Sequence, residues 1–95
     1  MIERHITFNV LPDRTAAFEE FITGAYGPAM AASPGFVKLD LLREAASPTR
    51  YQLVFRFQDG DAAAGWRTSE VHQGLQPALN ELHTGMEIQG YEVVG

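Results

Sequence analysis

The sequence predicts an α+β fold of the ferredoxin-like βαββαβ type, with an antiparallel sheet covered by helices on one face. Three observations predict it. Extended stretches recur at 2–10, 36–44, 51–58 and 86–94. Helical spacing of apolar residues follows the first and the third of them. Between the second and third lies only the short turn segment 45–50, which suits a hairpin. That order is the split-βαβ arrangement. A chain of 95 residues fits one domain, 1–95, and leaves no room for two.

The first strand is justified by its period of two. Ile2, Ile6, Phe8 and Val10 share one side, with Arg4 the exception, while Glu3, His5, Thr7 and Asn9 share the other. Leu11-Pro12-Asp13 ends it, and Asp13 or Thr15 is placed to cap a helix. Phe18, Phe21, Ile22, Ala25 and Ala29 then recur at helical spacing, interrupted by Gly24, Gly27 and Pro28. The expectation is a long helix that bends or breaks near Gly27-Pro28 and ends before Ser33-Pro34-Gly35.

In the second strand Val37, Leu39 and Leu41 are expected on one face. In the third, Tyr51, Leu53, Phe55 and Phe57 oppose Gln52, Arg56 and Gln58. Asp59-Gly60-Asp61 is a turn leading into a short helix, Ala62 to Thr68, that carries Trp66. A further helix, Glu70 to Leu82, carries Val71, Leu75, Ala78, Leu79 and Leu82, with a kink expected at Pro77. The last strand is expected over Met86 to Val94, with a bulge at Gly90.

Composition excludes several classes. Apolar residues form 45% of the chain, too many for a disordered segment. Net charge is −5 with no run of Lys or Arg, so nucleic acid is not an expected partner. The absence of cysteine removes disulfides, thiolate metal sites and cysteine nucleophiles. No apolar stretch approaches the ~18 residues of a membrane span, and the N-terminus lacks the apolar run of a signal peptide, so a cytoplasmic location is expected. The three histidines lack metal-ligand spacing, and no glycine-rich phosphate loop follows a strand. No metal and no cofactor are expected.

Two local motifs go further. Ser33-Pro34-Gly35-Phe36 joins the first helix to the second strand, and Trp66-Arg67-Thr68-Ser69-Glu70-Val71-His72 follows the Phe55-Arg56-Phe57-Gln58-Asp59 strand end and the run Ala62-Ala63-Ala64. In this order, in a chain of this length, they resemble the antibiotic biosynthesis monooxygenase domain family along essentially the whole chain. The resemblance implies a dimeric α/β barrel: a homodimer whose two sheets meet, with a pocket in each subunit between sheet and helices. It implies cofactor-independent oxidation of quinols or phenols for some members and haem degradation for others. The haem-degrading members are similar in having a Trp at the place of Trp66 and a His ten residues beyond; here that place holds Gln76, and their Asn on the first strand has no secure match, which disfavours haem.

Trp66 and His72 are the candidate catalytic residues. Six positions separate them, so on one continuous helix their side chains would diverge by about 120°. They share a pocket only if the helix breaks between them. Thr68-Ser69 supplies the break, because Ser69 can cap the next helix. His72 then lies in a first turn, where the positive helix end disfavours imidazolium and leaves a neutral base for a phenol. The plainer alternatives are a packing role for Trp66 and an exposed or capping role for His72. Phe21, Tyr26 and Phe55 are the expected pocket walls for a small aromatic substrate. His5, Thr7 and Asn9 read as a solvent- or partner-facing stripe, and His83 as structural at a helix C-terminus. A cofactor-free monooxygenase and a non-catalytic binder of aromatic or lipid-like metabolites both fit these parts.

Overall fold

The structure, a computed structural model, describes residues 1–95. Its elements are β1 (Ile2–Val10), α1 (Thr15–Phe21), a π-helical turn (Ile22–Tyr26), α2 (Gly27–Ala31), β2 (Phe36–Arg43), β3 (Arg50–Phe57), α3 (Gly60–Arg67), α4 (Glu70–Asn80) and β4 (His83–Glu92). The four strands form one antiparallel sheet in the order β2-β3-β1-β4. The α+β, ferredoxin-like arrangement is the one expected.

Period two in the central strands decides which face is buried. Ile6, Phe8 and Val10 of β1 and Tyr51, Leu53, Phe55 and Phe57 of β3 point to the helices. Phe18, Ile22, Tyr26 and Met30 meet them from the first helical segment, Ala63 and Trp66 from α3, and Leu79 and Leu82 from α4 and its exit. No polar or charged residue is buried. Each large side chain so removed from water contributes roughly 1.5–3 kcal/mol.

Several local expectations are corrected. The cap of α1 is Arg14, with no side-chain hydrogen bond, rather than Asp13 or Thr15; Thr15 is already helical. The first helix does not break at Gly27-Pro28. It widens over Ile22–Tyr26 and resumes as α2. Pro28 has no N–H to offer the preceding turn, and the wider turn absorbs the mismatch. Gly27 is required there: a Cβ would lie 2.8 Å from the Ile22 carbonyl oxygen and 2.9 Å from the Leu39 side chain.

In β2, Phe36 lies opposite Phe57 and Lys38 opposite Arg56, so Val37 is the extra residue of a bulge. Val37 is consequently exposed, and Phe36 turns inward against Phe57, reversing the expected faces for both. β4 starts three residues earlier than expected, at His83, and its irregularity falls near that end, beside Asn9 and Val10, rather than at Gly90. His83 therefore opens a strand instead of closing a helix. Val71 and Ala78 are exposed on α4, because its buried side is narrow and centred on Leu79. The helix runs unbroken through Pro77.

The turn before β2 also positions the site. Gly35 has φ +82°, and a Cβ there would come within 2.4 Å of the Ala62 methyl. The backbone of β2 thereby abuts the first turn of α3, the helix that carries Trp66.

Candidate functional site

A cavity of ≈ 180 Å³ lies between the inner face of the sheet and the helical layer. Its floor is sheet: Ile6 and Phe8 of β1, Phe55 of β3, and Met86 and Ile88 of β4. Its helical wall is Tyr26, Trp66, His72 and Leu79, with Arg4, Arg67 and Gln76 completing the lining.

The connection between α3 and α4 builds the wall. Asp59 caps α3, its carboxylate accepting the Ala62 N–H at 2.8 Å. The helix ends at Arg67, one residue after Trp66. Ser69 caps α4 as expected. Its hydroxyl accepts the His72 N–H at 3.1 Å and donates to the Trp66 carbonyl at 2.7 Å. One side chain thus turns the chain between the two helices and fastens Trp66 to His72. Their rings lie 5.0 Å apart at 78°.

Tyr26 completes an aromatic triad. Its ring is 5.5 Å from Trp66 at 86° and 6.0 Å from His72 at 62°. All three contacts are edge-to-face, the arrangement favoured by aromatic quadrupoles. Tyr26 is the last residue of the π-helical turn, so the widened turn sets where this ring falls.

Electrostatics fix the protonation states. Burial holds the His72 pKa below its ordinary 6.5; the Arg67 charge acts in the same direction, and the Arg67 backbone opposes it. At neutral pH the imidazole is uncharged. Burial pushes the Tyr26 hydroxyl above 10, with its hydrogen bond to Trp66 working against the rise. Tyr26 is therefore a donor rather than a base.

Of the residues singled out from sequence, Trp66, His72, Tyr26 and Phe55 come together around this cavity. Phe21 does not line it; it packs behind Tyr26, with ring centres 6.3 Å apart. The widened turn brings Tyr26, and not Phe21, to the surface of the cavity. Sequence reasoning missed Arg4, Arg67 and Gln76. Arg4 did carry a signal, as the one charge on the apolar side of its strand. Gln76 lies one turn beyond His72, a spacing that places two side chains together on a helix.

The opposite sheet face carries a separate polar cluster. His5 lies 2.6 Å from Glu3, which also accepts from Arg56, and Tyr91 packs on the His5 ring at 4.7 Å. These two partners, His5 first, hold the Glu3 carboxyl below its ordinary range. No group of three or more His, Asp and Glu is placed to hold a metal ion. No helix is long and apolar enough to cross a membrane.

The family model described as antibiotic biosynthesis monooxygenase matches residues 1–78, from β1 through most of α4. The chain belongs to that family. The matched region contains Trp66, His72 and Gln76 and stops short of β4. Among solved structures of antibiotic biosynthesis monooxygenases, one assigned to the family from Nitrosomonas europaea superposes with TM-score 0.86 at 20% identity, covering 100% of both chains. Another, from Deinococcus radiodurans, gives 0.89 at 16% identity over 100% of this chain and 94% of that one. A variant of SnoaB, a cofactor-independent oxygenase from Streptomyces nogalater, gives 0.88 at 25% identity over 97% of this chain and 91% of that one. No curated protein matches the sequence.

Proposed function

We propose that the chain is a cofactor-independent monooxygenase that oxidises a small phenolic or quinol substrate in the cavity between sheet and helices. The observation that carries this is the meeting of a neutral His72 with Trp66 and Tyr26 at the wall of an otherwise largely apolar cavity. Such chemistry needs an electron-rich ring, one base to ionise it, and exclusion of water while oxygen reacts. His72 takes the phenolic proton. Trp66, Tyr26 and Phe55 hold the ring, and the Tyr26 hydroxyl is available as a donor to charge that develops on oxygen. One atom of O₂ enters the ring and the other leaves as water with the two hydrogens lost from the ring and its hydroxyl. Family membership and the likeness to a cofactor-independent oxygenase support the same reading.

The working unit in this reading is one domain per chain, paired as a homodimer through the outer sheet faces. The cluster of Glu3, His5 and Arg56 there has both signs of charge and can be self-complementary across a two-fold axis. Oxygen consumption with a panel of hydroquinones and naphthols, in chelated buffer, tests the activity. Turnover of at least one member that is lost in the His72→Ala variant is the expected result. Binding without oxygen uptake across the whole panel would make the protein a carrier of aromatic metabolites instead.

A further inference from the structure

Seven basic side chains serve the whole chain. Four are neutralised within it: Lys38 by Asp40, Arg43 by Glu19, Arg50 by Glu44 and Arg56 by Glu3. Arg4, Arg14 and Arg67 form no ion pair within the chain, and two of these three, Arg4 and Arg67, line the cavity beside His72. No carboxylate lines it with them. A chain of net charge −5 therefore keeps a doubly positive, unneutralised patch at its apolar cavity. Arg4 also stands on the buried side of β1, two residues before Ile6, where an apolar residue would pack better.

We infer that the cavity takes an aromatic acid: a ring carrying a carboxylate that Arg4 and Arg67 hold, with its hydroxyl turned to His72. The inference rests on the reading of this cavity as the place where substrate is bound. A guanidinium offers a planar fork of donors that matches a carboxylate, and a charge-assisted pair beside low-polarity walls is stronger than one in open water. Size points to a single ring. The cavity holds ≈ 180 Å³, against about 150 Å³ for an apolar cavity that accepts benzene. Room remains for a carboxylate at the lining arginines. Both arginines act on specificity; neither is asked to move a proton.

The experiment uses the only tryptophan as reporter. The indole N–H resonance of Trp66 is followed by NMR while the protein is titrated with 4-hydroxybenzoate or with 4-hydroxybenzamide, its neutral counterpart of the same shape, at pH 7 and low salt. The expected result is binding of the acid at least about tenfold tighter than the amide. That preference should weaken in 0.5 M salt as screening grows. In Arg4→Gln/Arg67→Gln it should shrink to within about twofold, because binding of the acid weakens far more than binding of the amide. Neither arginine is buried, so the variant is expected to fold, and its dispersed amide spectrum checks this. Equal binding of acid and amide, or a preference that survives both substitutions, overturns the inference and leaves the cavity reading standing. Failure of both ligands to move the Trp66 resonance overturns the two together.

Discussion

The side-chain nitrogen of Gln76 lies 3.0 Å from Nε2 of His72. An amide nitrogen only donates, so Nε2 of the imidazole must accept, and the ring proton sits on Nδ1. Nδ1 is buried and makes no hydrogen bond of good geometry. Gln76 thus favours the tautomer whose lone pair is on Nε2, and a phenol that gives its proton to His72 there takes the place of the Gln76 contact.

Removal of this base separates chemistry from folding. His72 is only partly buried, and its backbone N–H, not its ring, makes the cap contact with Ser69. His72→Ala is expected to lower turnover of an accepted phenol by about 10²–10⁴-fold, with a stability change near 1 kcal/mol. Steady-state kinetics beside thermal melts decide it; turnover equal to the parent protein would remove His72 from the mechanism.

The depressed pKa of His72 sets the acid side of the pH profile. Its folded value lies below the unfolded 6.5, so the unfolded state binds the proton first as pH falls. This contribution to stability is full above 6.5 and is lost as pH drops toward the folded value. Glu3 acts lower down: its folded pKa is below 4.5, so its contribution is present above that pH and lost beneath it. Between pH 5 and 7 the melting temperature of the parent protein should therefore fall with acid more steeply than that of His72→Gln. The kcat/KM of the parent protein should rise with pH through the folded His72 pKa, below 6.5, and level off above it. An acid limb centred at or above pH 6.5, or one that persists in His72→Gln, would contradict a catalytic base with a lowered pKa at this position.

Trp66 is both wall and core, at 3% exposure. Trp66→Ala is expected to cost about 3–5 kcal/mol, which a small domain withstands poorly. Trp66→Phe keeps most of the packing but loses the indole N–H that meets Tyr26. It should fold with a modest loss of stability, and with the Tyr26 hydroxyl raised further because the hydrogen bond that lowers it is gone. Ultraviolet titration of the tyrosines reads that shift.

Gly35 stands at φ +82° against the Ala62 methyl. Gly35→Ala should cost at least about 1–2 kcal/mol from the left-handed backbone alone. For a domain of this size that lowers the melting temperature by roughly 4–8 °C per kcal/mol. Calorimetry giving an unchanged melting temperature would mean that the turn relaxes freely.

The proposed homodimer is tested on the outer sheet face. Val54 lies there, between His5 and Asp40 on the neighbouring strands. Sedimentation equilibrium at micromolar concentration is expected to give twice the 10.5 kDa chain mass for the parent protein and one chain mass for Val54→Asp. A single-chain mass for the parent would mean that the polar face is open to water.

The sequence by itself determined the βαββαβ order of elements along the chain, the buried faces of β1 and β3 and the break between Trp66 and His72. Each follows from local periodicity or from one capping residue, and Ser69 caps α4 as its hydroxyl chemistry requires. Tertiary structure alone decided the rest. The bulge at Val37 turns Phe36 inward and Val37 outward because the eight residues Phe36–Arg43 of β2 pair with only seven of β3, Tyr51–Phe57, which neither strand's own pattern records. The π-helical turn brings Tyr26 to the cavity and leaves Phe21 off it, although the sequence offers both as walls; five positions apart they diverge by about 140° on an α-helix, and only the widened turn sets which of them meets the cavity. Arg4 and Arg67 lie 63 positions apart in the chain and become neighbours of one cavity only when α3 folds back over β1. A charge that breaks a pattern is visible in a sequence; what it faces depends on packing between segments distant along the chain.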